Sequence, residues 1–488
     1  MKLNSMVMHV LLTAVLMVST EASARNPDAV KRWVEENVPE MMREARLPGF
    51  SIAVVKDGDT IYADGFGARD TQKNLPATTD TLFGIGSITK SFVAIAILQL
   101  VEQGKLSLDD PVAEHLPFEL GDPDDPIRIR HLLTHSPGFP SLATSSVLIA
   151  RGLGEDTGVP MASAEDFFRF VNGAKGEQDF SPGERFFYNN AAWRMLGAII
   201  QEKSGVPFHQ YVTDNVIRRL GMERSTFNVA DLFADPDHLI PHKKEDGRAV
   251  PASFPYPNPP DNPDFSFLSA AGGISSSVTE MTRYMNMLIE SGRHGDDELI
   301  SRRSMRDMQT LHIEEPDNYY GTTGYGFGLG ITPDFLGEKL VDHGGSISVS
   351  TAHMALIPEK RLGVVMMGNG GGMSYAPVAE AVLAILLGET PEEVVPALFI
   401  PKRMESLAGS YSIYRDLHSV DIVEDEGVLW LRGDEDDVGT PLVPDDPSLE
   451  STSFYMLNNG RRTPVEFRED DSGRLTVIIG RYIYRKET

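Results

Sequence analysis

Apolar positions recur along this chain with two different periods, and the change from one to the other divides it. In 28–46, Val30, Trp33, Val34 and Val38 fall at helical spacing and Pro48-Gly49 closes the run, which predicts an opening amphipathic helix. Residues 50–55 and 60–66 then read as strands around an Asp57-Gly58 hairpin turn. Toward the other end, 354–357 and 363–367 read as strands flanking Pro358-Glu359, and 376–387 as a second apolar helix. The long stretch between, from Ser87 to about Ala270, carries helical patterns and loops. The layout is therefore expected to be α+β, with strands clustered at both ends of this part of the chain and a helical subdomain inserted between the sheet's halves.

The texture changes after residue 390. Pro391, Pro396 and Pro401 punctuate the segment and predict a linker over 390–402, ending a main domain of 25–389. Beyond it, 409–415, 420–424, 428–432, 453–457, 465–468, 475–479 and 482–485 are short alternating runs. Turn signals such as Asn459-Gly460 and Ser472-Gly473 separate them, so 403–488 is expected to be a small antiparallel β-barrel.

Composition narrows the function. Acidic residues outnumber basic ones 71 to 44, and a net charge of -27 repels phosphate backbones, which argues against nucleic acid as a partner. Residues 1–24 have the order of a secretory signal: Lys2, an apolar run from Val7 to Val18, then the small-residue site Ala22-Ser23-Ala24. That run is about 12 residues, short of the ~20 that span a bilayer, so the expected product is periplasmic or secreted without a stable membrane anchor. The absence of cysteine excludes disulfides, thiolate catalysis and thiolate metal sites.

Three separated stretches carry candidate chemistry. Ser87-Ile88-Thr89-Lys90 opens a run, 91–102, that is apolar nearly all round and so predicts a buried helix. Residues three apart share a helix face, which sets Lys90 beside Ser87, and burial would lower the lysine's pKa enough for it to accept the serine proton. The second stretch, Phe187-Tyr188-Asn189-Asn190, lies before a helical run. From there Tyr188 can exchange protons and the Asn190 amide can bond both a substrate carbonyl and a lysine. The third, His343-Gly344-Gly345-Ser346, precedes a strand. Its glycines would let substrate lie against the backbone, and the Ser346 amide could join that of Ser87 as an oxyanion hole.

S-x-x-K, then Y-x-N about 100 residues on, then H-G-G about 155 further, resembles the three-motif pattern of the serine β-lactamase and penicillin-binding-protein family. Class C β-lactamases, DD-peptidases, D-aminopeptidases and related esterases share that pattern. Leu132-Leu133-Thr134-His135, Ser181-Pro182-Gly183, Ala271-Gly272-Gly273-Ile274 and Tyr325-Gly326-Phe327-Gly328 support the resemblance, which covers roughly 30–388. It implies an antiparallel sheet with terminal helices on it plus a helical region, an acylated serine at Ser87, a proton acceptor at Lys90, an acid/base group at Tyr188 and a substrate-amide ligand at Asn190. His343, Gly344, Gly345 and Ser346 would line the substrate. No cofactor and no metal are implied, and the expected partner is a small-molecule or short-peptide substrate.

His343 departs from the lysine that penicillin-destroying members usually carry, so a fixed cation for a β-lactam carboxylate is missing. An exported peptidase or amidase of D-amino-acid type, working through an acyl-enzyme, is the function expected first. Ester hydrolysis or weak β-lactam turnover on the same site is an alternative, and a non-catalytic envelope ligand-binding protein is another. The oligomeric state carries no sequence signal here. His238 and His242, the glycine run 368–372 and the acidic run 434–437 read as loop features rather than metal or nucleotide sites.

Overall fold

The computed structural model describes residues 27–256, 261–425, 427–433, 439–446, 449, 451–470 and 473–487. The expected signal segment at 1–24 and the acidic run 434–437 lie outside the described residues. Two compact units divide the chain between Gly388 and Glu389.

The first unit is built on a nine-stranded sheet in which every pairing is antiparallel. Its centre pairs Gly49–Lys56 with Leu362–Gly368, so that Ala53 faces Val365 across more than 300 residues of chain. Both strands are buried along nearly their whole length, which requires cover on both faces and explains why they read as continuous apolar runs. The helices Pro27–Ala45 and Ala376–Leu387 pack together, and the helix Val278–Ile289 also lies on the sheet. The first hairpin closes through Asp57 and Gly58, both at positive φ (54° and 94°), the turn whose twist matches the strands it joins.

Sheet order continues outward from Leu362–Gly368 through Thr351–Ile357, Glu338–Ser346, Gly330–Phe335 and Gly321–Tyr325 to Ile313–Asn318. Between the sheet's halves lie the buried helix Thr89–Glu102, the helix Asn190–Ser204 and the 3-10 segment Pro263–Ala271, packed on one another. This is the inserted helical region that the pattern predicts. His242 starts a short hairpin strand, His242–Glu245, and bonds the Ile240 carbonyl and Thr71.

In the second unit eight strands from Gly409–Ser412 to Tyr482–Lys486 form a closed antiparallel barrel, the last pairing back on the first through Tyr411 and Lys486. Closure leaves no sheet edge. Tyr411, Leu429, Phe454, Val465, Phe467 and Val477 fill its interior. The stretch 390–402, expected as a linker, is helical: Pro391–Val394 and Pro396–Leu407. Pro391 and Pro396 occupy the first turns, where a missing N–H costs nothing, and Met404 and Leu407 join the barrel core.

Candidate active site

Ser87 sits in the 3-10 turn Gly86–Ile88 that leads directly into the helix Thr89–Glu102. Gly86 has φ +52°, and a Cβ there would lie 2.5 Å from the Ser346 amide nitrogen. A Cβ at Gly345 would lie 2.0 Å from the Ile85 carbonyl oxygen and 2.9 Å from the Ser87 amide nitrogen. The end of strand Glu338–Ser346 therefore rests backbone to backbone on the serine turn, which only a pair of glycines permits. This brings the Ser87 and Ser346 amides together. Gly86 and Gly345 serve this close approach, a role the sequence did not suggest. Gly344 faces the other side of the strand, where a Cβ would meet only His353 Nδ1 at 3.4 Å.

Lys90 is 0% exposed. Its Nζ lies 2.9 Å from Ser87 Oγ, 2.8 Å from Asn190 Oδ1 and 2.8 Å from the Ala271 carbonyl oxygen. No carboxylate is paired with it among the described residues, and burial, then the nearby Arg194 charge, holds its pKa well below the usual lysine value. Asn190 Oδ1 and the Ala271 oxygen can only accept, so they take two N–H groups. In the neutral amine those are the only two, and the lone pair is left for the Ser87 hydroxyl.

Tyr188 comes from the turn before the helix Asn190–Ser204, whose start is fixed by Asn189. The Asn189 side chain accepts from the Ala191 and Ala192 amides at 3.0 and 3.2 Å and donates to the Pro140 carbonyl at 3.1 Å. Flanking residues are thereby held toward one cleft. The Tyr188 ring lies over Lys90, with Nζ 4.9 Å from the ring centroid, and its hydroxyl is near enough to Ser87 to interact with it. Burial raises its pKa, which keeps the phenol protonated. Beneath it, His135 stacks at 4.2 Å and accepts the Asn189 amide at Nδ1 (2.7 Å).

His343 is buried and fully engaged. Its Nδ1 donates to the Gly344 carbonyl at 2.5 Å and its Nε2 accepts from the Tyr325 hydroxyl at 2.7 Å. Burial, above all, lowers its pKa to about 3. It is a neutral wall of the site and presents no cation.

Every predicted site residue thus lies in one cluster except Gly344, which borders it from behind. The sequence reading passed over the Ala271 carbonyl, because a backbone oxygen leaves no residue signature. Tyr325 was visible only as part of a flanking stretch, and Arg194 was hidden inside an otherwise apolar helical run. A groove of ≈ 1000 Å³ bounded by Phe168, Gln201, Val206 and Phe267 contains none of these groups. The chemistry, not the volume, marks the site.

A model of the family described as "Beta-lactamase" matches residues 34–387. The chain belongs to the β-lactamase family. Relatives within reach of its sequence include "Protein flp" of Staphylococcus aureus (strain MW2), 27% identical over 333 residues, covering 67% of this chain and 61% of that protein. A D-aminopeptidase of Gluconobacter oxydans (strain 621H) is 30% identical over 353 residues, covering 70% of this chain and 59% of that one. The chain thus spans about three fifths of the length of these curated relatives. Residues 391–485 match a second model, the Pab87 octamerisation domain. Among solved structures, the octameric penicillin-binding protein homologue from Pyrococcus abyssi superposes with TM-score 0.81 at 37% identity, covering 93% of this chain and 99% of that one. The fold of this family and an accessory barrel are what the sequence pattern led us to expect.

Proposed function

We propose that this protein is an exported serine hydrolase that cleaves amide bonds through an acyl-enzyme, as a peptidase or amidase of D-amino-acid type. The observation that carries the proposal is the set of three oxygens around Lys90 Nζ, Ser87 Oγ at 2.9 Å and Asn190 Oδ1 and the Ala271 carbonyl at 2.8 Å: two of them can only accept, so in the neutral amine the lone pair is left for Ser87. Lys90 takes the hydroxyl proton as Ser87 Oγ bonds to the substrate carbonyl carbon. The Ser87 and Ser346 amides hold the oxyanion. Tyr188, beside Ser87 and Lys90, relays the proton from Lys90 to the leaving amine as the C–N bond breaks. Water then attacks the ester carbonyl with the same groups as bases, freeing the acid and Ser87.

The neutral His343 and the similarity to a D-aminopeptidase favour small or peptidic amides over β-lactams. Asn190, whose Oδ1 is on Lys90, supplies its Nδ2 to a substrate carbonyl. Export rests on the order of charge, apolar run and small residues in 1–24. No helix among the described residues is long and apolar enough to cross a membrane. The C-terminal unit, matching an octamerisation domain, is proposed to assemble several copies of the chain.

The test is labelling by a fluorophosphonate together with turnover of D-alanine p-nitroanilide, a D-Ala-D-Ala peptide, p-nitrophenyl butyrate and nitrocefin. Wild type is expected to label at Ser87 and to favour an amide substrate, and Ser87→Ala to lose both activities. Labelling at another residue, or silence of wild type across all probes, overturns the proposal.

A further inference from the structure

Arg194 is a second buried cation beside the site, and its partners are unusual. It is 0% exposed, and its guanidinium bonds the Leu268 carbonyl at 3.1 Å, Thr144 Oγ1 at 2.7 Å and Ser145 Oγ at 2.9 Å, with the Tyr256 hydroxyl also in contact. All these partners are neutral. No carboxylate is paired with Arg194 among the described residues, although a buried charge ordinarily has one.

Its position connects it to Lys90 twice. Arg194 follows Asn190 by one turn of the helix Asn190–Ser204, so the two share a face. Through Leu268 it also ties that helix to the segment Pro263–Ala271, whose last carbonyl is another Lys90 partner. The two arms that grip the lysine amine are thus pinned to each other by one guanidinium.

We propose that Arg194 is a positioning residue that keeps Lys90 uncharged and correctly gripped, so that the amine can take the Ser87 proton. An arginine does not give up its proton in a protein, so this pocket already holds one fixed positive charge. A second charge on Lys90, with no carboxylate to offset either, would add mutual repulsion to the cost of burial. The lower-energy arrangement is a charged arginine and a neutral lysine. The other titratable groups around Lys90 do not change this sign. Tyr188 lies over it as a protonated phenol, His135 lies behind that ring, and His343, backed by Tyr325, is neutral. Burial holds His135 and His343 both below their usual pKa, so neither adds a cation. Glu315 and Asp342 lie toward Tyr325, and Glu315 also toward Tyr188, where they favour the protonated phenols.

The inference rests on the acyl-enzyme reading above, and the pH dependence of acylation tests it. The second-order rate of phosphonate labelling is measured from pH 5 to 10 for wild type, Arg194→Met and Arg194→Lys, with thermal melts on each. The acid limb of the wild-type profile reports deprotonation of Lys90. In Arg194→Met that limb is expected to move up by roughly one pH unit, the order of a unit-charge interaction between neighbouring buried groups. Arg194→Lys, whose cation can be shed on burial, is expected to move it part of the way. A limb unmoved in Arg194→Met, whatever the drop in overall rate, reduces Arg194 to a packing residue and overturns the inference. Were Arg194→Met not to fold, Arg194→Gln, which removes the charge but can still hydrogen-bond Leu268 and Thr144, is measured in its place, and an unmoved limb there decides the same way. Absence of acylation in wild type at every pH is a different failure, which sinks the hydrolase reading and this inference with it.

Discussion

Two neighbouring glycines in the strand Glu338–Ser346 should respond to the same substitution in opposite ways. An alanine methyl at Gly345 would lie 2.0 Å from the Ile85 oxygen, where ordinary contact begins at 3.4 Å, so strand and serine turn must part by about 1.4 Å (3.4 − 2.0). The atoms that move are the amides of Ser87 and Ser346, and a 1 Å misplacement of a reacting group costs about a hundredfold in rate. Overpacking at such a contact also costs about 1–3 kcal/mol of stability. Gly345→Ala is therefore expected to lower phosphonate acylation by about 10²-fold and to lower the melting temperature. At Gly344 the methyl meets only His353 Nδ1, at 3.4 Å, and Gly344→Ala should stay within about threefold of wild type. Rate constants and melts on both variants decide the matter. A Gly345→Ala protein that acylates as fast as Gly344→Ala would refute the backbone contact between strand and nucleophile turn.

Two further outcomes follow from the same structure. His343, with a pKa near 3 when folded and 6.5 when free, stays neutral in the native state while the unfolded chain takes up a proton. Its contribution is therefore nil above pH 6.5 and destabilising by about 1.4 kcal/mol for each pH unit below that, down to about pH 3. Urea denaturation at pH 7.5, 6 and 5 should show the loss, with a shallower slope in His343→Gln; an equal slope in both would disprove it. On the barrel, Tyr414 and Leu417 are 68% and 75% exposed on a loop where Arg415 and Asp416 both take positive φ, 60° and 56°. If that loop is part of the assembly surface proposed for the C-terminal unit, Leu417→Asp lowers the mass found by light scattering. An unchanged multimer would clear Leu417 of that role, and a monomeric wild type would remove the assembly itself.

What was legible in the sequence depended on which atoms do the work. Ser87 and Lys90 could be paired because their spacing sets them on one helix face, and Tyr188 and Asn190 because they bracket a helix start. The Ala271 carbonyl could not be read, since any residue would supply it. Arg194 looked like an interruption in the run 191–200; only its burial, against neutral partners, gives it meaning. In the sheet, the outer strand Ile313–Asn318 reads Ile-Glu-Glu-Pro-Asp-Asn, polar and proline-bearing as edge strands are, and it has no alternation to detect. The barrel strand Thr440–Pro444 was missed for a similar reason, because Pro441 and Pro444 break the β pattern. The helices at 391–407 were obscured by prolines, which mark a helix's first turn as readily as they mark its absence.

The pairing of Gly49–Lys56 with Leu362–Gly368 sets the order in which this protein can come to life. The middle of the sheet is incomplete until the chain has been made past residue 368, and closing a loop of that length is slow. Ser87 and Lys90 emerge early, yet Asn190, Ala271 and Ser346 reach them only afterwards. A nascent or partly folded chain carries a solvated lysine and an ordinary alcohol. On the proposed acyl-enzyme reading, the nucleophile is assembled only with the last contacts of the fold.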